Sequence, residues 1–202
     1  MSRGSGSPVL EILVAFTVVF LLQLVTALAD LVGGLFVLRP PVTEDPWTVV
    51  TSVYAHANLG HLVSNALGLV VFGWPVARAT TRIRFHAFFL VAGSLAGVAQ
   101  ILLSGALASS PVVALGATPG VLGASGGVFA LLGYLLASNR LSSRIGAVLQ
   151  ISRTATLLGF VLIAAVLTLA TASPGVALIA HFVGLLLGLV AGRAAVLDVG
   201  RR

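Results

Sequence analysis

A serine and a histidine lie in separate apolar stretches of this 202-residue chain. Ser125 sits within a Gly-Ala-Ser-Gly-Gly run at 123–127, and His181 lies near the start of the last apolar stretch. Serine and histidine are the nucleophile and the general base of many acyl-transfer reactions. Polar groups inside apolar spans are costly and usually mark a functional site. If these two side chains meet, they form a Ser–His pair that can attack a carbonyl carbon.

Three further polar residues, His56, His61 and Asn65, precede the second apolar stretch or begin it. His61 and Asn65 are four positions apart, so they share one face of a helix. Both side chains can donate hydrogen bonds, and such donors stabilise an oxyanion when they point at the developing charge. We therefore expect all three residues to lie at the same membrane depth as Ser125 and His181.

The histidines also allow a metal site, because imidazole is a common metal ligand. The chain has no cysteine and no His-Glu-x-x-His motif, so hydrolytic zinc chemistry is disfavoured, and we expect no cofactor and no metal. No acidic residue lies in a span at the level of His181, so packing or an aromatic ring must orient its imidazole. Phe129, one helical turn after Ser125, is positioned to stack on this ring.

Each of these residues also has a purely structural interpretation. A polar side chain in a span commonly forms a hydrogen bond between helices. Ser125 alone fits the N-cap of a helix, where its hydroxyl would accept a backbone N–H bond. The convergence of polar residues from separate spans at one depth favours a functional site.

The composition predicts an all-α integral membrane protein. The chain is 58% hydrophobic and 8% charged, whereas about a quarter of the residues in a soluble domain are charged. The net charge is +6, but the arginines are scattered over short connectors, so we expect the lipid bilayer and not nucleic acid as the partner. Six apolar stretches of roughly membrane-spanning length follow one another, at 9–31, 59–79, 86–105, 125–138, 155–172 and 176–195.

The arginines orient these six spans. Arg39 falls on one side of the membrane, and every other arginine falls on the opposite side. By the positive-inside rule, both termini then lie in the cytoplasm. The expected organisation is a short cytoplasmic stub at 1–8, one six-helix domain at 9–195 and a basic cytoplasmic tail at 196–202.

The fourth span is too short to cross the membrane. A helix over 125–138 is about 21 Å long, whereas the hydrocarbon layer is about 30 Å thick. The preceding segment, 116–123, is rich in glycine and proline and should not be helical. Because Arg140 holds the far end at the cytoplasmic surface, the helix must begin in mid-membrane. Irregular backbone is tolerated there only inside protein or beside a water-filled cavity, so we predict such a cavity, open to the outside, with Ser125 at its floor.

Three motifs occur in order along the chain, namely His56-x4-His61-x3-Asn65, Gly123-x-Ser125-Gly126 and Ala180-His181-x2-Gly184-x3-Gly188. Together they resemble the rhomboid intramembrane serine proteases, in their prokaryotic form with six transmembrane helices. The resemblance covers essentially the whole chain. It implies that Ser125 is the nucleophile and His181 the general base. The remaining implied roles are an oxyanion hole at His61, Asn65 and Ser125, and supporting positions at His56, Gly123, Phe129, Gly184 and Gly188.

The resemblance implies a serine endopeptidase that cleaves transmembrane segments of other membrane proteins near the outer leaflet of a prokaryotic plasma membrane. One departure touches the first loop, where Trp47 is followed by Thr48 and not by the family's arginine. Two other functions stay open at this point. One is a non-catalytic rhomboid-like protein that binds or escorts membrane clients, and the other is a small histidine-dependent transporter.

Overall fold

The structure, a computed structural model, describes residues 6–109, 116–138, 152–173 and 175–198. These residues form helices, turns and one isolated antiparallel β-bridge between Leu38 and Val121. The helices in chain order are α1 Pro8–Ala27, α2 Val32–Phe36, α3 Thr48–Thr51, α4 Leu59–Gly68, α5 Trp74–Ala79, α6 Arg82–Ala108, α7 Ser125–Ser138, α8 Arg153–Leu169 and α9 Leu178–Arg193. A π-helical turn at Leu69–Gly73 joins α4 to α5, so Leu59–Ala79 forms one continuous rod.

This architecture is a helical membrane bundle, as the composition predicts. Three of its rods are long and apolar enough to cross a bilayer, with 20 residues in α1, 21 in the α4–α5 rod and 27 in α6. Helices α7, α8 and α9 are apolar but shorter, with 14, 17 and 16 residues. Helix α7 begins and ends at the predicted residues, and it is about 21 Å long. The expected stub and tail extend to residues 1–5 and 199–202, which lie outside the described residues.

Several predicted boundaries differ from the structure by two to four residues, the largest differences being at the end of α1 and the start of α6. Helix α1 ends at Ala27 and not at 31, and Asp30 beyond it adopts a left-handed backbone with φ of 56°. Helix α6 begins at Arg82, four residues before the predicted start, because the Thr81 hydroxyl accepts the Arg84 N–H and caps the helix. Hydropathy alone marks the apolar segment, whereas caps and turns determine where the helix stops.

Helices α7 and α9 pack backbone against backbone. A Cβ atom added at Gly184 would collide with the carbonyl oxygen of Gly126, and one at Gly188 would collide with that of Ala130. Conversely, a Cβ at Gly133 would collide with the carbonyl oxygen of Leu185. Small residues permit this close approach between membrane helices. The contact fixes the position of α9 relative to the start of α7.

The core surrounds α7, while the outer helices present apolar side chains to their surroundings. Val128, Leu131 and Tyr134 of α7 pack in one buried cluster with aromatic residues of α1 and α6. Many leucines and valines on α1 and α8 are instead exposed. Exposed apolar surface of this extent is unusual in a soluble protein, but in a bilayer it contacts lipid.

The connector between α1 and α4 is held by its own polar contacts. As its prolines predict, it is not a simple helix and contains only the short helices α2 and α3. The indole Nε1 of Trp47 donates to the Gly34 carbonyl at 2.8 Å, and the Thr51 hydroxyl donates to the Leu35 carbonyl at 2.6 Å. Thr48 is buried and donates to the Asp45 carbonyl at 2.5 Å. The threonine at the position of the family's arginine therefore closes a turn within the connector.

A charged cluster joins α1 to the start of α6. The Glu11 carboxylate accepts hydrogen bonds from Arg82 Nε and His86 Nε2, both at 2.7 Å. These groups are partly exposed. His86 therefore has an ion-pair partner at the end of the bundle where α6 begins.

Candidate active site

The segment before α7 forms a single β-bridge with Leu38 and turns sharply at Gly123. Val121 and Leu38 exchange backbone hydrogen bonds of 2.9 and 3.0 Å, and the Gly123 N–H donates to the Ser52 carbonyl at 2.8 Å. Gly123 has φ of +137°, a conformation that L side chains rarely adopt. A Cβ there would also lie 2.6 Å from Cε1 of the His61 ring. Only glycine fits this turn, and Ser125 follows it two residues later at the start of α7.

Ser125 is the first helical residue of α7, and the interpretation of Ser125 as the N-cap is wrong. The Val128 N–H donates to the Ala124 carbonyl at 3.0 Å, so Ala124 accepts the first helical bond and occupies the cap position. The Ser125 hydroxyl is therefore not committed to capping. The N–H groups of the first turn lack acceptors within the helix, and the positive end of the helix dipole lies beside them.

His181 lies in the first turn of α9, and its imidazole contacts two side chains. Its ring stacks on Phe129, with centroids 4.3 Å apart and planes 17° from parallel. This is the stacking that the one-turn spacing from Ser125 predicts. On the ring's edge, Nδ1 lies 3.0 Å from the hydroxyl oxygen of Thr171. His181 itself is buried, at 8% exposure.

The close helix contact sets the start of α7, where Ser125 lies, beside the start of α9, where His181 lies. Ser125 adjoins Gly126, whose carbonyl faces Gly184, and Gly184 lies one turn after His181 on the same face of α9. Among the described residues no hydrogen bond yet joins the Ser125 hydroxyl to the imidazole. In enzymes without substrate such bonds are often long and tighten only in the Michaelis complex.

His61 and Asn65 lie on one face of α4 beside the Gly123 turn. The Ala57 N–H faces His61 Nδ1 at 3.4 Å, so Nδ1 accepts and Nε2 carries the proton. A Cβ at Gly123 would lie 2.8 Å from this Nε2. Asn65 is buried, and its amide donates one hydrogen bond to the His61 carbonyl at 3.0 Å. Its second N–H makes no hydrogen bond to the residues that the structure describes, so each of the two side chains has a donor for a further acceptor.

His56 lies in the connector before α4, packed behind His61. The two rings meet edge to face with centroids 5.3 Å apart, and the Phe16 ring lies 4.8 Å away on another side. His56 is 1% exposed, and neither ring nitrogen has a hydrogen-bond partner in the described part of the chain. Burial, with a smaller contribution from His61, lowers the pKa of His56 to about 4. The ring is thus neutral at neutral pH and supports His61 by packing.

A small cavity of about 10 Å³ adjoins Ser125, enough room for about one water molecule. Its walls come from α6, from Ser52 and Val53, from the turn before α7 and from Ala180, the neighbour of His181. The side chains of His61, Asn65 and His181 are not among its lining residues.

Polar residues that the sequence analysis did not single out hold the same region together. The Gln100 side chain of α6 accepts the Ala180 N–H at 3.1 Å and donates to the Thr118 hydroxyl at 2.7 Å. The Thr118 N–H in turn donates to the Ser104 hydroxyl at 3.1 Å. In the sequence, the glutamine within an apolar helix is the feature that could have predicted these hydrogen bonds. It connects the start of α9 to the segment that leads into Ser125.

The three histidines of this region are not arranged as a metal site. Within the described ranges, no group of three or more His, Cys, Asp or Glu side chains is placed to hold a metal ion. His56 and His61 meet as packed rings, and His181 is stacked on Phe129. What the site offers is a hydroxyl, an imidazole, two side-chain donors and a free helix N-terminus.

A family model of the rhomboid domain matches residues 43–197, which include the whole of this site. The chain belongs to the rhomboid family. It is similar to Rhomboid-related protein 2 of Mus musculus, with 35% identity over 94 residues, or 46% of this chain and 27% of the relative. It is also similar to RHOMBOID-like protein 12, mitochondrial, of Arabidopsis thaliana, with 38% identity over 97 residues, or 42% of this chain and 27% of the relative. The match thus spans about a quarter of each relative's length, and the rhomboid chain described here is a multi-pass membrane protein.

Proposed function

We propose that this rhomboid protein is a serine endopeptidase that cleaves transmembrane segments of other membrane proteins. The observation that supports the proposal is the backbone contact of α7 with α9, together with the stacking of His181 on Phe129, one turn after Ser125. A structural serine would not require a neighbouring imidazole stacked and hydrogen-bonded in this way. The family relationship supports the same reaction class.

In the proposed mechanism, the Ser125 hydroxyl oxygen attacks the carbonyl carbon of the scissile peptide bond. His181 removes the hydroxyl proton during the attack and then gives it to the departing amine. The product is an ester between Ser125 and the acyl half of the substrate. Water, deprotonated by His181, attacks this ester, and the proton returns from His181 to the Ser125 oxygen as the C–O bond breaks. The product leaves as a carboxylic acid, which then loses its proton to the solvent.

The negative charge that develops on the carbonyl oxygen needs donors in fixed positions. We assign this role to His61 Nε2, to the remaining amide N–H of Asn65 and to the backbone N–H of Ser125. Gly123 supports the assignment because its bare backbone lets the His61 ring lie against the turn before Ser125. His56 supports the His61 ring from behind.

The proposed substrate is a helix that opens easily. Within a helix the carbonyl oxygens are bonded to N–H groups four residues later, so the scissile segment must unwind before attack. Small residues near the cleavage site suit the narrow space beside Ser125. The arginine distribution supports cytoplasmic termini and therefore a cleavage site near the outer leaflet.

Labelling with a fluorophosphonate probe tests the nucleophile. We expect the purified wild-type protein in detergent to react and Ser125→Ala to show no covalent adduct. Ser109→Ala is the matched control, because Ser109 is exposed at the end of α6 and, within the described ranges, its hydroxyl donates only to the Ala106 carbonyl. Equal labelling of wild type and Ser125→Ala would contradict the proposal, as would a wild-type protein that binds membrane clients but never labels.

A further inference from the structure

The residue that orients His181 lies outside the three sequence motifs. Thr171 follows α8, two residues after the helix ends at Leu169. Its hydroxyl oxygen lies 2.7 Å from the Thr168 carbonyl oxygen and 3.0 Å from His181 Nδ1. It is the only side chain hydrogen-bonded to the His181 ring in the ranges that the structure covers.

The two contacts of this hydroxyl determine where its proton lies. A carbonyl oxygen can only accept, so the single proton of the Thr171 hydroxyl must point to Thr168. The hydroxyl oxygen then faces the imidazole as an acceptor, and Nδ1 must carry the ring proton. A neutral imidazole with its proton on Nδ1 has its lone pair on Nε2.

We propose that Thr171 is a positioning residue that selects the Nδ1–H tautomer of His181. With this tautomer, Nε2 is free to take the proton of the Ser125 hydroxyl. This step rests on the catalytic role of Ser125 proposed above. Stacking on Phe129 fixes the plane of the ring but does not distinguish its two nitrogens. The hydrogen bond to Thr171 supplies that distinction, as a carboxylate does in a Ser-His-Asp triad.

The position of Thr171 also links the tautomer to α8. Helix α8 packs mainly against α9, and many of its leucines and valines are exposed. Thr168, whose carbonyl accepts the hydrogen bond from the Thr171 hydroxyl, lies in the last turn of α8. The orientation of His181 therefore depends on where α8 ends.

Three variants test this inference. Thr171→Val keeps the shape and removes the hydroxyl, Thr171→Ser keeps the hydroxyl, and Thr156→Val is the matched control. Thr156 lies near the opposite end of α8, where its hydroxyl donates to the Ser152 carbonyl. We expect kcat for a transmembrane substrate to fall about tenfold or more in Thr171→Val, with little change in KM. Thr171→Ser and Thr156→Val should stay near the wild-type value.

The tautomer is read directly by ¹⁵N NMR of protein labelled in its histidine rings, with His181→Gln used to assign the signal. The wild-type His181 ring should show a protonated Nδ1 and an unprotonated Nε2, and Thr171→Val should shift toward the other tautomer. A wild-type ring protonated on Nε2 would overturn the inference even if Thr171→Val failed to fold. So would wild-type kcat in a folded Thr171→Val protein, or a Thr171→Ser protein as slow as Thr171→Val.

The NMR result also separates this inference from the proposed protease function. If the wild type neither labels with fluorophosphonate nor cleaves any substrate, the protease proposal fails. The ¹⁵N signals still test the tautomer assignment in that case, because the NMR measurement requires no turnover.

Discussion

Ser125 and His181 illustrate what single residues in an apolar sequence can and cannot predict. Their types and their places at the starts of two spans predict a Ser–His site, and the spacing of Phe129 predicts the stacked ring. Thr171 could not be found in this way, because its partner depends on where α8 ends relative to α9. A threonine at a helix end is common, and only the fold shows that it faces Nδ1.

The role of Ser125 at the helix start is a second case where the structure decides between interpretations. A serine followed by glycines fits a cap by composition, but the cap carbonyl belongs to Ala124. Because the cap position lies one residue earlier, at Ala124, the Ser125 hydroxyl is not used as a helix cap. Sequence patterns seldom locate a helix end to one residue.

His56 predicts how stability depends on pH. Its pKa of about 4 in the folded protein lies below the 6.5 of a solvated histidine, mainly because the ring is buried. As the pH falls below about 6.5, the unfolded state binds a proton that the folded state does not, so stability decreases until the pH reaches about 4. The loss from this one group amounts to at most about 3 kcal/mol.

We therefore expect the melting temperature in detergent to drop from pH 7 to pH 5, and to drop less in His56→Leu. His86→Ala serves as control, because His86 is partly exposed and already paired with Glu11. If His56→Leu and the wild type lose the same number of degrees over this range, His56 is not the group responsible.

At the scale of the elements, the contact of α7 with α9 is the feature that positions the site. The sequence predicts this contact through the glycines after His181 and the small face of the fourth span. The bounds of α7 are also predictable, since a glycine-rich segment precedes Ser125 and the apolar run stops at Ser138. The π-turn at Leu69–Gly73 goes unpredicted, although it has a signal in Pro75, which has no N–H to donate to the Val71 carbonyl four residues earlier.

Gly188 provides the test of this packing. In Gly188→Ala the new methyl group would collide with the Ala130 carbonyl oxygen, so we expect a loss of about 2 kcal/mol or more from overpacking. Gly159→Ala is the control, because no atom of the described residues lies within 4 Å of a Cβ added there in α8. Thermal unfolding in detergent should show a lowered transition for Gly188→Ala alone. A wild-type transition in Gly188→Ala would mean that the two helices do not pack this closely.

At the scale of the whole molecule, composition and hydropathy predict the class of protein and the order of its helices. The chain forms a helical membrane bundle whose family match begins at residue 43 and ends at residue 197. What composition cannot predict is the arrangement in space, which brings α4, α7, α8 and α9 to one site. That arrangement depends on tertiary contacts such as the ties of Gln100 to Ala180 and Thr118.

Cleavage of a transmembrane substrate tests the central claim most directly. Purified wild-type protein, Ser125→Ala and Ser109→Ala would each be reconstituted in liposomes with a panel of single-span proteins, and the products would be identified by mass spectrometry. We expect wild type and Ser109→Ala to cut at least one substrate near the outer end of its span, after a small residue. In Ser125→Ala the rate should fall by about 10³-fold or more. Cleavage that persists in Ser125→Ala, or a panel that every protein leaves intact, would contradict the account.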